Sequence, residues 1–246
     1  MLFPGSRQLR LAGILATFAL AGCGSGHSGS TGYATFAWYI FDIEDTSYTT
    51  ALTCAEVGAA SVVVTLTNQA TGTVYTQPAA GCTARGMTSA NVPAGSYTAG
   101  FDLYGDPTIY GNSTTLLDSF DATGTFRILA GSNDFTSEYA PFIAQSFTVS
   151  WAFSSGSAFN LCASAGASYV DLDFAVAGST TWVTSSFDCT SGSGTSYSIP
   201  YGPTSAQWKL YLVDSTGTVD LQVIDGGTVT LPTTTNVNLA TQYFSY

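Results

Sequence analysis

Apolar and polar residues alternate along much of the chain after residue 33, which is the pattern of strands that bury one face. The apolar positions of two clear examples are Val62, Val64 and Leu66, and Val170, Leu172, Phe174 and Val176. Further strands are predicted at 36–41, 74–77, 96–104, 125–129, 147–153, 181–189, 207–213, 219–224 and 228–231. Clusters of Gly, Pro, Asn and Ser separate these short segments, and no segment after residue 22 has helical periodicity. The pattern predicts an all-β protein built from antiparallel β-sandwiches.

The strand pattern occurs twice, which indicates a tandem repeat. The matching positions are Trp38 and Trp151, Cys54 and Cys162, Val62 and Val170, Cys82 and Cys189, Pro93 and Pro200, and Ile128 and Leu231. We therefore predict two β-sandwich domains, repeat 1 at residues 34–143 and repeat 2 at residues 144–246.

Each repeat contains two cysteines, and a fifth, Cys23, precedes both. An odd number of cysteines in an exported chain indicates one thiol with a separate role. Four cysteines allow three pairings, and the repeat favours Cys54–Cys82 and Cys162–Cys189. Closing loops of this length stabilises each repeat by roughly 3–4 kcal/mol in the chain-entropy model.

The N-terminus has the pattern of an export signal. Arg7 and Arg10 precede an apolar run that ends at Leu20, and the run is too short to cross a bilayer as a helix. The residues Leu20-Ala21-Gly22-Cys23 resemble the lipobox of bacterial lipoproteins. The resemblance implies cleavage after residue 22, acyl chains on Cys23 and anchoring in a lipid membrane. The alternative is an ordinary signal peptide followed by an unrelated cysteine.

Residues 23–33 are rich in Gly and Ser, which predicts a flexible tether after the lipidated cysteine. In lipoproteins an Asp after the cysteine often marks retention in the inner membrane, and this chain has Gly24 there. The resemblance therefore implies the outer membrane of a bacterial envelope and leaves the membrane face open.

The repeats themselves resemble a module of bacterial lipoproteins. The resemblance rests on the Trp, the Cys-x3-Gly-Ala-x2-Val run, the second Cys, and a Val/Ile-Pro-x-Gly turn before a strand. It implies a sandwich of the transthyretin-like, carboxypeptidase-regulatory-like or immunoglobulin-like kind, with display or adhesion roles and no catalytic residues. Repeat 2 departs from the pattern after Gly202, where residues 203–207 lengthen the turn.

Charge and composition narrow the function further. Removal of residues 1–22 leaves three Lys or Arg against 16 Asp or Glu, a net charge of −13, which disfavours nucleic acid as a partner. The only histidine, His27, lies in the tether, so no Ser-His-Asp or Cys-His constellation can form in the folded repeats. We predict a protein that is not an enzyme and has no cofactor. A hydrolase that uses two carboxylates is the remaining catalytic alternative.

Aromatic residues provide the candidate ligand-binding positions. Alternation along residues 181–189 places Trp182 on the outer face, Tyr75 aligns with it in repeat 1, and Tyr39 follows the inward Trp38. Outward aromatic rings can stack on a sugar or anchor a partner protein. The alternative is that these rings pack between the two domains or under a loop.

Two groups of acidic residues are candidates for binding Ca²⁺, which prefers oxygen ligands. One is Asp42, Glu44 and Asp45, and the other is Asp171 and Asp173. The alternative, which we favour, is that these carboxylates only solvate the surface and prevent unwanted strand pairing.

Overall fold

The computed structural model describes residues 29–154, 161–176, 180–199, 204–218 and 220–245. The predicted signal peptide, Cys23 and the tether up to residue 28 lie outside these ranges. The described chain is almost entirely β-structure, and its two disulfides are Cys54–Cys82 and Cys162–Cys189, the pairing that the repeat predicts. The predicted all-β fold is confirmed.

Repeat 1 contains eleven strands and a short helix before a strand that continues into repeat 2. They are β1 (Thr31–Asp42), β2 (Ala51–Leu52), β3 (Ala59–Asn68), β4 (Val74–Thr76), β5 (Ala80–Gly81), β6 (Gly86–Thr88), β7 (Val92–Pro93), β8 (Gly95–Gly105), α1 (Pro107–Tyr110), β9 (Leu116–Asp121), β10 (Phe126–Ile128) and β11 (Gly131–Asp134). A 3₁₀ turn at Cys82–Ala84 precedes β6.

The rest of the chain has eight strands. They are β12 (Ala140–Phe153), β13 (Ala167–Val176), β14 (Val183–Asp188), β15 (Ser193–Ile199), β16 (Ser205–Asp214), β17 (Asp220–Thr230), β18 (Val237–Asn238) and β19 (Gln242–Phe244). A 3₁₀ turn at Cys189–Ser191 precedes β15. Strand β17 is continuous where the sequence predicts two strands, because bulges in its pairing with β16 absorb the irregular positions.

The strands form three sheets. A sheet of six strands, β3–β5 and β8–β10, belongs to repeat 1, and a sheet of four strands in the order β14-β13-β16-β17 belongs to repeat 2. The third sheet has nine strands and runs through both repeats, with the order β11-β1-β12-β15 along its main path. Several of its pairs are parallel, including β1 with β12 and β12 with β19, which strand patterning did not predict.

Strand β12 joins the two repeats without a linker. Its first residues pair with β1 up to Ala144, and from Gln145 onward it pairs with β15. The predicted boundary between residues 143 and 144 lies inside this strand, at the point where its neighbours change. The backbone therefore holds the two repeats together by the hydrogen bonds of one continuous sheet.

Strand β1 begins earlier than predicted, since residues 31–33 were assigned to the tether. Thr31 and Gly32 pair with β7, and Gly32 also pairs with β11. A Cβ at Gly32 would lie 1.9 Å from the backbone oxygen of Leu129, so a glycine is required for this close approach.

Apolar side chains of facing sheets form the core. The residues predicted to point inward are buried at Val62, Val64 and Leu66 in β3 and at Val170, Leu172 and Phe174 in β13. Val176, the last of the predicted set, is partly buried and packs against the same core. The buried cluster is continuous from repeat 1 to repeat 2. Sequence alternation thus identified the core-facing side of these strands.

In each repeat a buried tryptophan is tied to the disulfide. Trp38 Nε1 donates a hydrogen bond to the carbonyl oxygen of Cys82 at 3.1 Å, and Trp151 Nε1 donates to that of Cys189 at 2.8 Å. Because the indole belongs to the shared sheet and the disulfide reaches the segment before β3 or β13, these contacts connect the two layers of each sandwich.

We expect Trp38→Phe and Trp151→Phe each to lower the free energy of unfolding by about 1–3 kcal/mol, because the change removes a buried hydrogen bond and part of the ring volume. Urea denaturation followed by far-UV circular dichroism measures this. The control is Trp182→Phe at an exposed ring, with an expected change of less than about 1 kcal/mol. Equal effects at all three positions would contradict the proposed role of the indole hydrogen bond.

Candidate binding surfaces

The outer face of the four-stranded sheet in repeat 2 carries the first candidate surface. We call it the Trp182 face and define it by Asp171, Asp173, Trp182, Lys209 and Tyr211. Strand pairing aligns Asp171 with Tyr211 and Asp173 with Lys209, so these side chains stand on one side of the sheet in adjacent rows.

Trp182 directly precedes β14, and its ring is 36% exposed. The pairing of Val183 with Phe174 places Trp182 opposite Ala175, on the face away from the core. The ammonium nitrogen of Lys209 lies 5.3 Å from the centroid of the indole ring, a cation–π distance. Trp182 thus lies on the outer face, where the sequence predicted it.

Neighbouring hydroxyl groups hold the two aspartates of this face. Ser186 Oγ donates to Asp171 Oδ1 at 2.5 Å, and Thr184 Oγ1 donates to Asp173 Oδ1 at 2.6 Å. Partial burial raises the pKa of Asp173 above its usual value, and partial burial also raises the pKa of Tyr211. Each aspartate thus uses one carboxylate oxygen, Oδ1, as the acceptor for a neighbouring hydroxyl group.

Tyr75 does not occupy the equivalent position, which corrects the sequence prediction. Tyr75 lies in β4, where it pairs with Leu66 of β3. Its side chain packs against the core, and its ring centroid is 6.2 Å from that of Tyr97. Since Leu66 corresponds to Phe174, the true counterpart of Tyr75 is Val183, one residue beyond Trp182. The alignment of Tyr75 with Trp182 was wrong by one residue, and this reverses the face of the strand.

Tyr39 lies on the outer face of the shared sheet within a group of rings. We call this group the Tyr39 cluster: Tyr39, Phe41, Tyr48, Arg85 and Tyr139. The ring centroid of Tyr39 is 5.0 Å from that of Tyr139, and the centroid of Phe41 is 5.1 Å from that of Tyr48. The guanidinium carbon of Arg85 lies 5.7 Å from the Tyr39 centroid. The cluster combines rings in edge-to-face and tilted contact with one exposed cation.

Residues of the first acidic group lie at the junction between the repeats. Asn236 Nδ2 donates to both carboxylate oxygens of Asp42 at 3.0 Å, and the Asn236 backbone N–H donates to Glu44 Oε1 at 2.9 Å. The amide oxygen of Asn236 accepts the backbone N–H of Ser146 at 2.9 Å. Asp42 and Glu44 therefore bind repeat 2. Sequence patterns could not reveal this contact, because the partners are 194 and 192 residues apart.

The third member of that group, Asp45, organises its own loop. It accepts backbone N–H groups from Ser47, Thr49 and Thr50, and these hydrogen bonds hold its pKa below the usual value, with the Thr50 bond the largest cause. Throughout the described ranges, no group of three or more His, Cys, Asp or Glu side chains is arranged to hold a metal ion.

In the same ranges, no helix combines the length and the apolar character needed to span a membrane.

Comparison with known proteins yields only distant similarity. No known protein family matches the chain, and no curated protein matches it. Among solved structures, a leucine-rich repeat protein from Bacteroides thetaiotaomicron is 17% identical with a TM-score of 0.27, and the match covers 88% of this chain and 26% of that one.

Several other matches are described as adhesins, and two of them illustrate the level of similarity. A candidate adhesin from Bacteroides ovatus is 9% identical with a TM-score of 0.31, and the match covers 87% of this chain and 88% of that one. An adhesin from Mobiluncus mulieris is 12% identical with a TM-score of 0.26, covering 88% and 100%. These TM-scores are too low to transfer a function.

We expect Asn236→Ala to lower the free energy of unfolding by about 2 kcal/mol, because hydrogen bonds to charged groups contribute more than neutral ones. Urea denaturation measures the loss. Asn238→Ala is the matched control, since Asn238 is exposed two residues away, and it should change stability by less than about 0.5 kcal/mol. An Asn236→Ala variant with an unchanged free energy of unfolding would contradict the role of this junction.

Proposed function

We propose that the protein is a non-enzymatic lipoprotein of the bacterial envelope that displays two joined β-sandwich repeats for a structural, protein-binding or adhesive role. A lipid anchor on Cys23 would hold it to the outer membrane. The partner would be an envelope protein or a glycan.

The arrangement of the cysteines is the observation that carries this proposal. Cys54–Cys82 and Cys162–Cys189 close one loop in each repeat, with S–S distances of 1.97 and 2.03 Å. Disulfides of this kind persist in oxidising compartments outside the cytosol. The remaining cysteine, Cys23, is the one that follows Leu20-Ala21-Gly22 at the end of an export signal. Its lipidation would give a role to the one cysteine left over when the other four are paired.

The shared sheet is consistent with a display role. Strand β12 passes from one repeat to the other, and the contacts of Asn236 with Asp42 and Glu44 reinforce the junction. Two sandwiches joined in this way present their outer faces in a fixed relation. Such an arrangement suits a protein that contacts a partner through an extended surface.

We expect Cys23→Ser to release the protein from the membrane, because a serine cannot accept the thioether-linked lipid that provides durable anchoring. Expression of the full-length chain in a Gram-negative bacterium, with membrane fractionation and intact-mass measurement, tests this. The control His27→Ala should remain anchored. A wild-type protein that is soluble and lacks acyl groups would refute the anchor.

A carbohydrate-binding role is the second candidate, and the exposed Trp182 ring favours it. An indole on the outer face of a sheet, beside carboxylates, a lysine and a tyrosine, offers both stacking and hydrogen bonding to a sugar. Lys209 contacts the Trp182 ring, and the ring is still partly exposed. Tyr75 is not part of this candidate site because it packs against the core.

We expect Trp182→Ala to weaken binding to a glycan by about tenfold or more while the fold is retained, because ring stacking contributes substantially at such sites. A glycan array followed by titration of any bound sugar measures this. The control is Tyr243→Ala, an exposed aromatic residue on a different sheet. An array without any signal would eliminate this second candidate.

A further inference from the structure

The two repeats provide an internal comparison, because features that both share are explained by the fold. Both have the tryptophan bound to the second cysteine's carbonyl oxygen. Both also pair two threonine hydroxyls across the same strands, Thr35 with Thr88 at 3.1 Å and Thr148 with Thr195 at 2.9 Å. A feature that is built in one repeat and absent from the other needs another explanation.

The Tyr39 cluster is such a feature. Tyr39 follows Trp38, and the residue after Trp151 is Ala152. Trp38 pairs with Ala140 and Trp151 with Gln242, so Tyr139 corresponds to Thr241.

Arg85 corresponds to Gly192, since these residues accept the backbone N–H of Trp38 and Trp151, respectively. Repeat 2 keeps the same fold with Ala, Thr and Gly at the three positions. The rings and the guanidinium are therefore not required to form the sandwich.

Arg85 is the most informative member of the cluster. Its φ is +53°, and Gly192 has φ +69° at the matched position. The left-handed conformation suits glycine and costs free energy for an arginine. The chain nevertheless has an arginine there, and this places the guanidinium over the Tyr39 ring. An arginine at a position that costs conformational free energy, next to the partly exposed rings of Tyr39 and Tyr139, indicates a function for its side chain.

The chemistry of Arg85 specifies the ligand. Its side chain is exposed, and among the described residues its guanidinium has no ion pair or hydrogen bond, so all of its N–H donors are available. The planar guanidinium matches the geometry of a carboxylate. The chain as a whole is strongly acidic, which disfavours a polyanion and suits a ligand with a single negative group.

The neighbouring rings indicate the rest of the ligand. Tyr39 and Tyr139 meet edge to face at an interplanar angle of 83°, and Tyr139 is 36% exposed. Rings of this kind stack against the apolar face of a sugar, and their hydroxyl groups bind its polar edge. We propose that Tyr39, Arg85 and Tyr139 form a site for an oligosaccharide whose only charged group is the carboxylate of its terminal sugar. This deepens the binding role proposed above and does not depend on the lipid anchor or on Trp182.

The test is calorimetric titration of the full-length, detergent-solubilised protein with 3′-sialyllactose and with lactose. The carboxylated sugar should bind at least tenfold more tightly than the neutral one. Arg85→Gly should abolish that preference without loss of folding, since glycine is the residue at the matched position of repeat 2. Tyr39→Ala, which copies Ala152, should weaken binding of the carboxylated sugar about tenfold.

Two controls separate this site from general charge effects. Arg127→Gln removes another exposed cation of repeat 1 and should change the affinity by less than about twofold, because Arg127 lies on the other sheet. Arg85→Lys retains the charge but not the planar donors, and it should give an intermediate affinity.

Equal binding of sialyllactose and lactose would overturn the proposal, and so would an Arg85→Gly variant with unchanged affinity. Absence of sialyllactose binding to the wild type would also overturn it. If a short peptide bound through its C-terminal carboxylate more tightly than sialyllactose does, the proposed sugar ligand would be wrong and the ligand would be a protein. None of these results would affect membrane anchoring through Cys23, which the fractionation of Cys23→Ser tests separately.

Discussion

The architecture depends on the hydrogen bond from a buried indole to the carbonyl oxygen of the second cysteine in each repeat. The indole N–H cannot reach water inside the sandwich, so it needs an internal acceptor. The 3₁₀ turns at Cys82–Ala84 and Cys189–Ser191 supply that acceptor, and the disulfides fix the turns against the opposite layer. The return strands β6 and β15 then start beside the tryptophan strands. One local arrangement thus sets the register of both sandwiches.

The second constraint is the continuity of β12. Because one strand belongs to both repeats, the junction has no free linker, and polar side chains complete it. Asn236 uses its amide and its backbone N–H to satisfy Asp42 and Glu44, and Gln145 Nε2 donates to the carbonyl oxygens of Pro232 and Thr235. Carboxylates that resemble cation ligands in the sequence therefore act as acceptors that join two parts of the chain.

At the candidate surfaces, the alternation pattern predicted the orientation of one aromatic side chain correctly and that of another wrongly. Trp182 lies on the outer face as alternation indicates, because its neighbour Val183 faces Phe174 in the core. Tyr75 was assigned to the same face through an alignment of the repeats that is wrong by one residue. In a strand with a period of two, an error of one residue reverses the direction of the side chain. The importance of Arg85 was missed in the sequence because no motif marks it, although the match to Gly192 was available from the repeat.

The sequence by itself determined the all-β class, the core-facing residues of strands such as β3 and β13, the internal repeat and the pairing of four cysteines. These follow from local alternation and from similarity between two parts of one chain, neither of which requires knowledge of distant contacts. The tertiary structure decided the parallel pairs, the sheet shared through β12, the junction at Asn236 and the cation–π contact of Arg85 with Tyr39. Each of these depends on backbone or side-chain groups that are far apart in sequence, and their geometry is set only when the layers pack together.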